Sequence, residues 1–162
     1  MGNVFYLEED IEFPDVYGII TDLQPWKMCY IIAELTGIQS SHEDILNRAP
    51  DPIEKVYMQQ LVAFEKYVWT DEESGQFIHL IENSKKIDTT PIQENINKGL
   101  FEDVPMGNQQ LFLLEEWSDV KFLIRTEGVE SFFDPFQLKQ IGGVRMIIKS
   151  SASEFKNGEK II

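Results

Sequence analysis

Cysteine is almost missing from this chain of 162 residues. Cys29 stands alone, so no internal disulfide can form and no cysteine-based zinc site can be assembled. Histidine is nearly as scarce, with only His42 and His79. Long apolar runs are lacking as well: none approaches the roughly 18 residues a membrane span needs. The stretch from Met1 to Glu12 is acidic where a secretory signal would be basic and then apolar. Basic side chains number 14 against 28 acidic ones, a formal net charge of -14 with a pI near 4.4. A surface of that sign repels phosphate backbones, because nucleic-acid affinity depends on Lys and Arg displacing counterions. The expectation is a soluble cytoplasmic protein with no direct contact to nucleic acid or membrane. The motifs of common catalysts are absent too, with no Gly-x-Ser-x-Gly elbow, no phosphate-cradling P-loop and no Gly-x-Gly-x-x-Gly. No catalytic residue, cofactor or metal is therefore assigned, and the chain is not expected to be an enzyme.

What is present is enough apolar material for a packed core, 43% hydrophobic and 12% aromatic. At this length one folded domain over residues 1–162 is the expectation. The charge is lopsided, with a net of -12 in residues 1–84 and -2 in residues 85–162.

Three segments carry one start signal: Asp51-Pro52-Ile53-Glu54, Thr90-Pro91-Ile92-Gln93 and Asp134-Pro135-Phe136-Gln137. Each offers an N-cap acceptor, a proline at N1 and a Glu or Gln that closes a capping box. After Asp51, the residues Ile53, Val56, Tyr57, Leu61, Phe64 and Val68 step at helical spacing and predict a helix running to Trp69. Pro25 to Thr36 predicts a largely buried helix ended by Gly37. Capping boxes at Ser40 and Thr70 predict two more, the second carrying Phe77, Leu80 and Ile81.

Beyond Lys98 the pattern changes. Glycines separate short β-rich runs at Leu111 to Glu116, Val120 to Thr126 and Val144 to Lys149, and Asn157-Gly158 signals a terminal hairpin. In the second run Val120, Phe122 and Ile124 alternate with Lys121 and Arg125, as for a sheet with one wet side. Val4 to Leu7 suggests an edge strand. The fold class expected is α+β, with residues 1–99 mainly helical and packed on a mostly antiparallel sheet from residues 108–162.

Chemistry-bearing candidates are few. His79 and Glu82 are three apart on a predicted helix, a common accident rather than a ligand set. Cys29 lies among Met28, Tyr30 and Ile31, where a thiol behaves as a small hydrophobe. Glu8, Glu9, Asp10 and Glu12 read as a solvated loop. Two acidic clusters flank a tryptophan: Trp69 with Asp71, Glu72 and Glu73, and Trp117 with Glu115, Glu116 and Asp119. An exposed Trp gives contact area and the acids give steering and ion pairs to Lys or Arg, so these eight residues are the candidate partner-binding set.

In profile, small and acidic with no catalytic motif, the chain is similar to the immunity proteins of bacterial toxin systems. That resemblance is compositional and lends no residue roles. It implies a basic partner, a toxin or effector domain, neutralised by occlusion. The alternatives are a secretion-chaperone-like escort, a class that acts as dimers, and an enzyme using carboxylates outside any recognised motif; monomer and dimer both stay open.

Overall fold

The computed structural model describes residues 12–37, 53–57, 60–71, 73–88 and 108–162. Its centre is a five-stranded antiparallel sheet built from β1 (Asp15–Thr21), β4 (Lys66–Asp71), β5 (Gln76–Glu82), β8 (Phe122–Glu127) and β9 (Val144–Ser151), in the order β4-β5-β8-β1-β9. Two further antiparallel pairs join β2 (Ile53–Tyr57) to β3 (Gln60–Phe64) and β6 (Ser84–Asp88) to β7 (Asn108–Phe112). Among the described residues one α-helix, α1 (Pro25–Thr36), follows β1.

Alternation along the central strands fills a core on both faces of the sheet. Ile19, Ile78, Leu80, Phe122, Ile124 and Trp69 meet Met28, Cys29, Ile31 and Ile32 of α1 on one face. Val16, Ile81 and Leu123 meet Val62 and Phe64 of β3, Leu111 of β7, and Phe155 and Ile161 on the other. The ribbon β4–β5 continues into β3 and β6 through single residues, Glu65 and Asn83, and Glu82 N–H donates to Glu65 C=O at 2.9 Å where it bends. The far ends of the same ribbon thus cover the second face.

A helical N-terminal half packed on a C-terminal sheet is therefore not what the chain forms. From Ile53 on, the described residues of the expected helix form strands β2, β3 and β4, and the residues of its supposed helical stripe lie on opposite faces. Phe64 is fully buried, while Val56 and Leu61, cross-strand partners on β2 and β3, are 64% and 67% exposed. Ile53, Val56, Tyr57, Val62, Tyr67, Val68 and Trp69 recur along the stretch, and their stiff branched or aromatic side chains fit a pleated surface better than a helix. The capping box expected at Thr70 is the β4–β5 turn: Asp71 accepts from Glu73 N–H at 3.1 Å and Ser74 Oγ at 2.8 Å, and Gly75 takes φ 70°. Asx turns and helix caps use the same side-chain chemistry, so the local signal served either outcome. His79, Leu80 and Ile81 consequently stand on β5.

Other expectations fared differently. The helix Pro25–Thr36 forms as predicted, and Gly37 ends it at φ 64° with its N–H on Ala33 C=O at 3.1 Å. Its burial is one-sided, with Trp26 and Tyr30 exposed. Asp134 does cap a helical segment, the 3-10 turn Pro135–Gln140, accepting from Phe136 N–H. The run Leu111 to Glu116 shifts upstream into β7, leaving Glu115–Trp117 as a 3-10 turn. The other two runs correspond to β8 and β9, but β8 has no wet face at its middle: Leu123 is as buried as Phe122 and Ile124. Asn157-Gly158 makes no hairpin and instead opens the 3-10 turn Gly158–Ile161. Helix starts at Ser40 and Thr90 and the strand at Val4 fall outside the described residues. No helix among the described residues is long and apolar enough to cross a membrane.

Candidate functional site

The two tryptophan clusters do not come together, since Trp69 belongs to the core on the α1 face and Trp117 to the core on the opposite face. Trp69 is 7% exposed and pairs with Ile78 across the ribbon, so it is a core residue. Asp71 spends its oxygens on the turn, which holds its carboxyl below the usual range. Glu73 is exposed, and Glu72 lies outside the described residues.

The second cluster is tied inward. Glu115 pairs with Lys55 Nζ at 2.8 Å, and that hydrogen bond and charge lower its carboxyl. Glu116 accepts from Lys156 N–H at 3.0 Å. Trp117 is half-buried, edge-on to Phe155 with centroids 4.6 Å apart, and lies directly over Gly18. Asp119 is exposed. In the second cluster Glu115, Glu116 and Asp119 are thus exposed, two of them held by contacts within the chain, around a half-buried Trp117. Both Asp71 and Glu115 are shifted opposite to the raised carboxyl that general-acid chemistry requires.

His79 and Glu82 point to opposite faces of β5, which separates the one suggested ligand pair. His79 stacks on Phe77 at 4.3 Å, and burial together with Lys66 and Arg125 depresses its pKa to about 4. Burial, with the charge of Glu82, pushes the Cys29 thiol up to about 12, so the sulfur stays protonated in the core.

A better site arises where two central strands part. β1 and β8 are paired from Tyr17↔Ile124 to Ile19↔Phe122. Beyond that, Asp15 and Val16 bond only to β9, and Arg125 to Glu127 only to β5. The gap widens into a cleft of about 1020 Å³ at the sheet's end, closed on its far side by the 3-10 turn Pro135–Gln140. Tyr17 and Phe136 are in it, edge to face with centroids 5.6 Å apart, and Phe13 is at its rim.

Five carboxylates line the cleft, Glu12, Asp15, Glu127, Glu130 and Asp134, against two cations. Both cations are already engaged. Lys149 Nζ bonds Asp15 at 2.8 Å over the Tyr17 ring, and that hydrogen bond raises its pKa. Arg125 sits 4.9 Å over the Phe77 ring, donates to Ile161 C=O at 3.3 Å and lies 3.8 Å from Glu127. Glu12 and Glu130 have no hydrogen-bond or ion-pair partner among the described residues, so the mouth keeps an excess of negative charge beside aromatic rings. Chemically, that combination suits cationic side chains, whose stems can pack on rings while their heads meet carboxylates.

Sequence reading reached Glu12 only as part of a solvated loop and Asp134 only as a cap. It placed Arg125 on the wet side of a strand, while Asp15 and Tyr17 were hidden because the strand that carries them was not recognised. No family model matches the sequence, and neither a curated protein nor a solved structure matches the chain.

Proposed function

We propose that this protein is a cytoplasmic protein-binding module that captures a basic segment of a partner protein, in the manner of an immunity-type inhibitor occluding a toxin domain. The observation that carries the reading is the cleft between β1 and β8, where unpaired carboxylates face aromatic rings in a space large enough for several side chains. The interface is moved from the two tryptophan clusters to this cleft. The overall charge of -14 supports it by accelerating encounter with a cationic partner.

The test is calorimetric titration with a peptide of alternating lysine, arginine and tyrosine. Neutralising the mouth in a Glu12→Gln/Glu130→Gln variant weakens binding by about tenfold and reduces its dependence on salt. Glu73→Gln and Asp119→Asn, at the original clusters, leave the affinity unchanged. Equal affinity of the double variant and the wild type overturns the assignment of the cleft.

A further inference from the structure

Helix α1 buries Met28, Cys29, Ile31 and Ile32 against the sheet and turns its opposite side to solvent. That side is aromatic: Trp26 is 60% exposed and Tyr30 47%, with Ala33 and Glu34 one turn beyond Tyr30. The two rings share one surface, since Lys27 Nζ stands 6.0 Å from the Trp26 centroid and 5.3 Å from that of Tyr30.

The charges of α1 run against its own dipole. Its only charged side chains are Lys27, in the first turn, and Glu34, in the last. A helix favours acids at its N-terminus and bases at its C-terminus, so each is disfavoured where it stands. Neither is offset by an opposite charge: Lys27 has the two rings, and Glu34 has no partner among the described residues.

A second copy of the helix resolves this. At about 100° per residue, Trp26 and Ala33 form one flank of the exposed stripe, Lys27 and Glu34 the other, and Tyr30 lies between. When two such helices pack antiparallel about a two-fold axis at Tyr30, like flanks meet. Lys27 then faces Glu34 of the second copy, and Trp26 faces its Ala33, large against small. A parallel pairing would set Lys27 beside Trp26 and leave both charges unmatched.

We propose that α1 is the interface of a homodimer, in which a second copy of this chain packs antiparallel on Trp26, Tyr30 and Ala33 with reciprocal Lys27–Glu34 ion pairs. None of these residues lines the cleft between β1 and β8, so the dimer is independent of the reading above. A helix of 12 residues spans about 18 Å, which puts the contact at the small end of specific interfaces and its dissociation constant in the micromolar range.

The experiment is sedimentation equilibrium of the full chain from about 1 to 300 µM in physiological salt, which screens the mutual repulsion of two chains of charge -14. The apparent mass of the wild type rises from 18.8 kDa toward twice that value. Lys27→Glu and Glu34→Lys, each alone, weaken association at least tenfold. Both place charge where the helix dipole favours it, so neither impairs the fold. An equimolar mixture of the two variants regains association, because opposite charges again face each other across the two copies. A wild type that stays at 18.8 kDa throughout overturns the proposal. So do variants that remain apart when mixed, and an association left unchanged by Trp26→Ser/Tyr30→Ser.

Discussion

Asn83 is fully buried at the bend between β5 and β6, and its amide holds the loop that follows β7. Nδ2 donates to Trp117 C=O at 2.8 Å and Val120 C=O at 3.1 Å, while Oδ1 accepts from Leu114 N–H at 2.8 Å. Removing it strands several buried backbone groups at once, each costing about 1–3 kcal/mol. Asn83→Ala should therefore lower stability by about 3 kcal/mol or more in urea denaturation; a loss below about 0.5 kcal/mol would contradict the role. His79 makes the second prediction at this scale. Its folded pKa, about 4, lies below the unfolded 6.5, so between these values the unfolded chain binds the proton more readily. The stability that depends on neutral His79 is complete above pH 6.5 and is lost as pH falls toward about 4. His79→Leu should flatten the stability profile in that window relative to the wild type. An identical slope in both proteins would show that the imidazole is not held neutral. Neither role was legible beforehand, since a single Asn between Glu82 and Ser84 belongs to no pattern. Cys29 was legible, because its apolar neighbours in sequence are also its neighbours on a helix.

Helix α1 could be read from the chain because proline, apolar spacing and glycine agree on one answer within a short stretch. The β2–β3–β4 region could not, because its apolar residues satisfy helical and strand spacing together. Ile53 and Tyr57 are four apart, which is one helical face, yet an even separation also places them on one strand face. What decides between them is burial against Leu123 and Ile81 far along the chain, and no local signal reports that. At β1 the obscuring residue is Gly18. A Cβ there would stand 2.8 Å from the Trp117 ring and 2.9 Å from Val120, so the glycine exists to let the 3-10 turn Glu115–Trp117 dock on the strand. Gly18→Ala should cost about 1–3 kcal/mol by overpacking. Combining it with Trp117→Leu should recover part of that loss, since the smaller side chain vacates the space. Strictly additive losses would mean that the two elements do not meet as described.

Across the whole molecule, net charge was legible by counting, but its placement was not. The sequence distributes acids most heavily over its first half, and the natural reading sends that field to the acidic runs beside Trp69 and Trp117. Folding instead joins Asp71 to its own turn and Glu115 to Lys55, residues 60 positions apart. Glu12 and Glu130, two of the described carboxylates whose side chains have no partner among the described residues, lie far apart in sequence and line one cleft because β1 and β8 are neighbours that separate near Tyr17. Five carboxylates thus gather at one aromatic-lined opening. The most direct test of that account maps where a cationic ligand lands, by following backbone amide shifts of the wild type during titration with the lysine, arginine and tyrosine peptide. Perturbations confined to residues 12–17, 125–136 and 149 are predicted; perturbations centred on residues 115–119, or spread evenly over every exposed carboxylate, would contradict it.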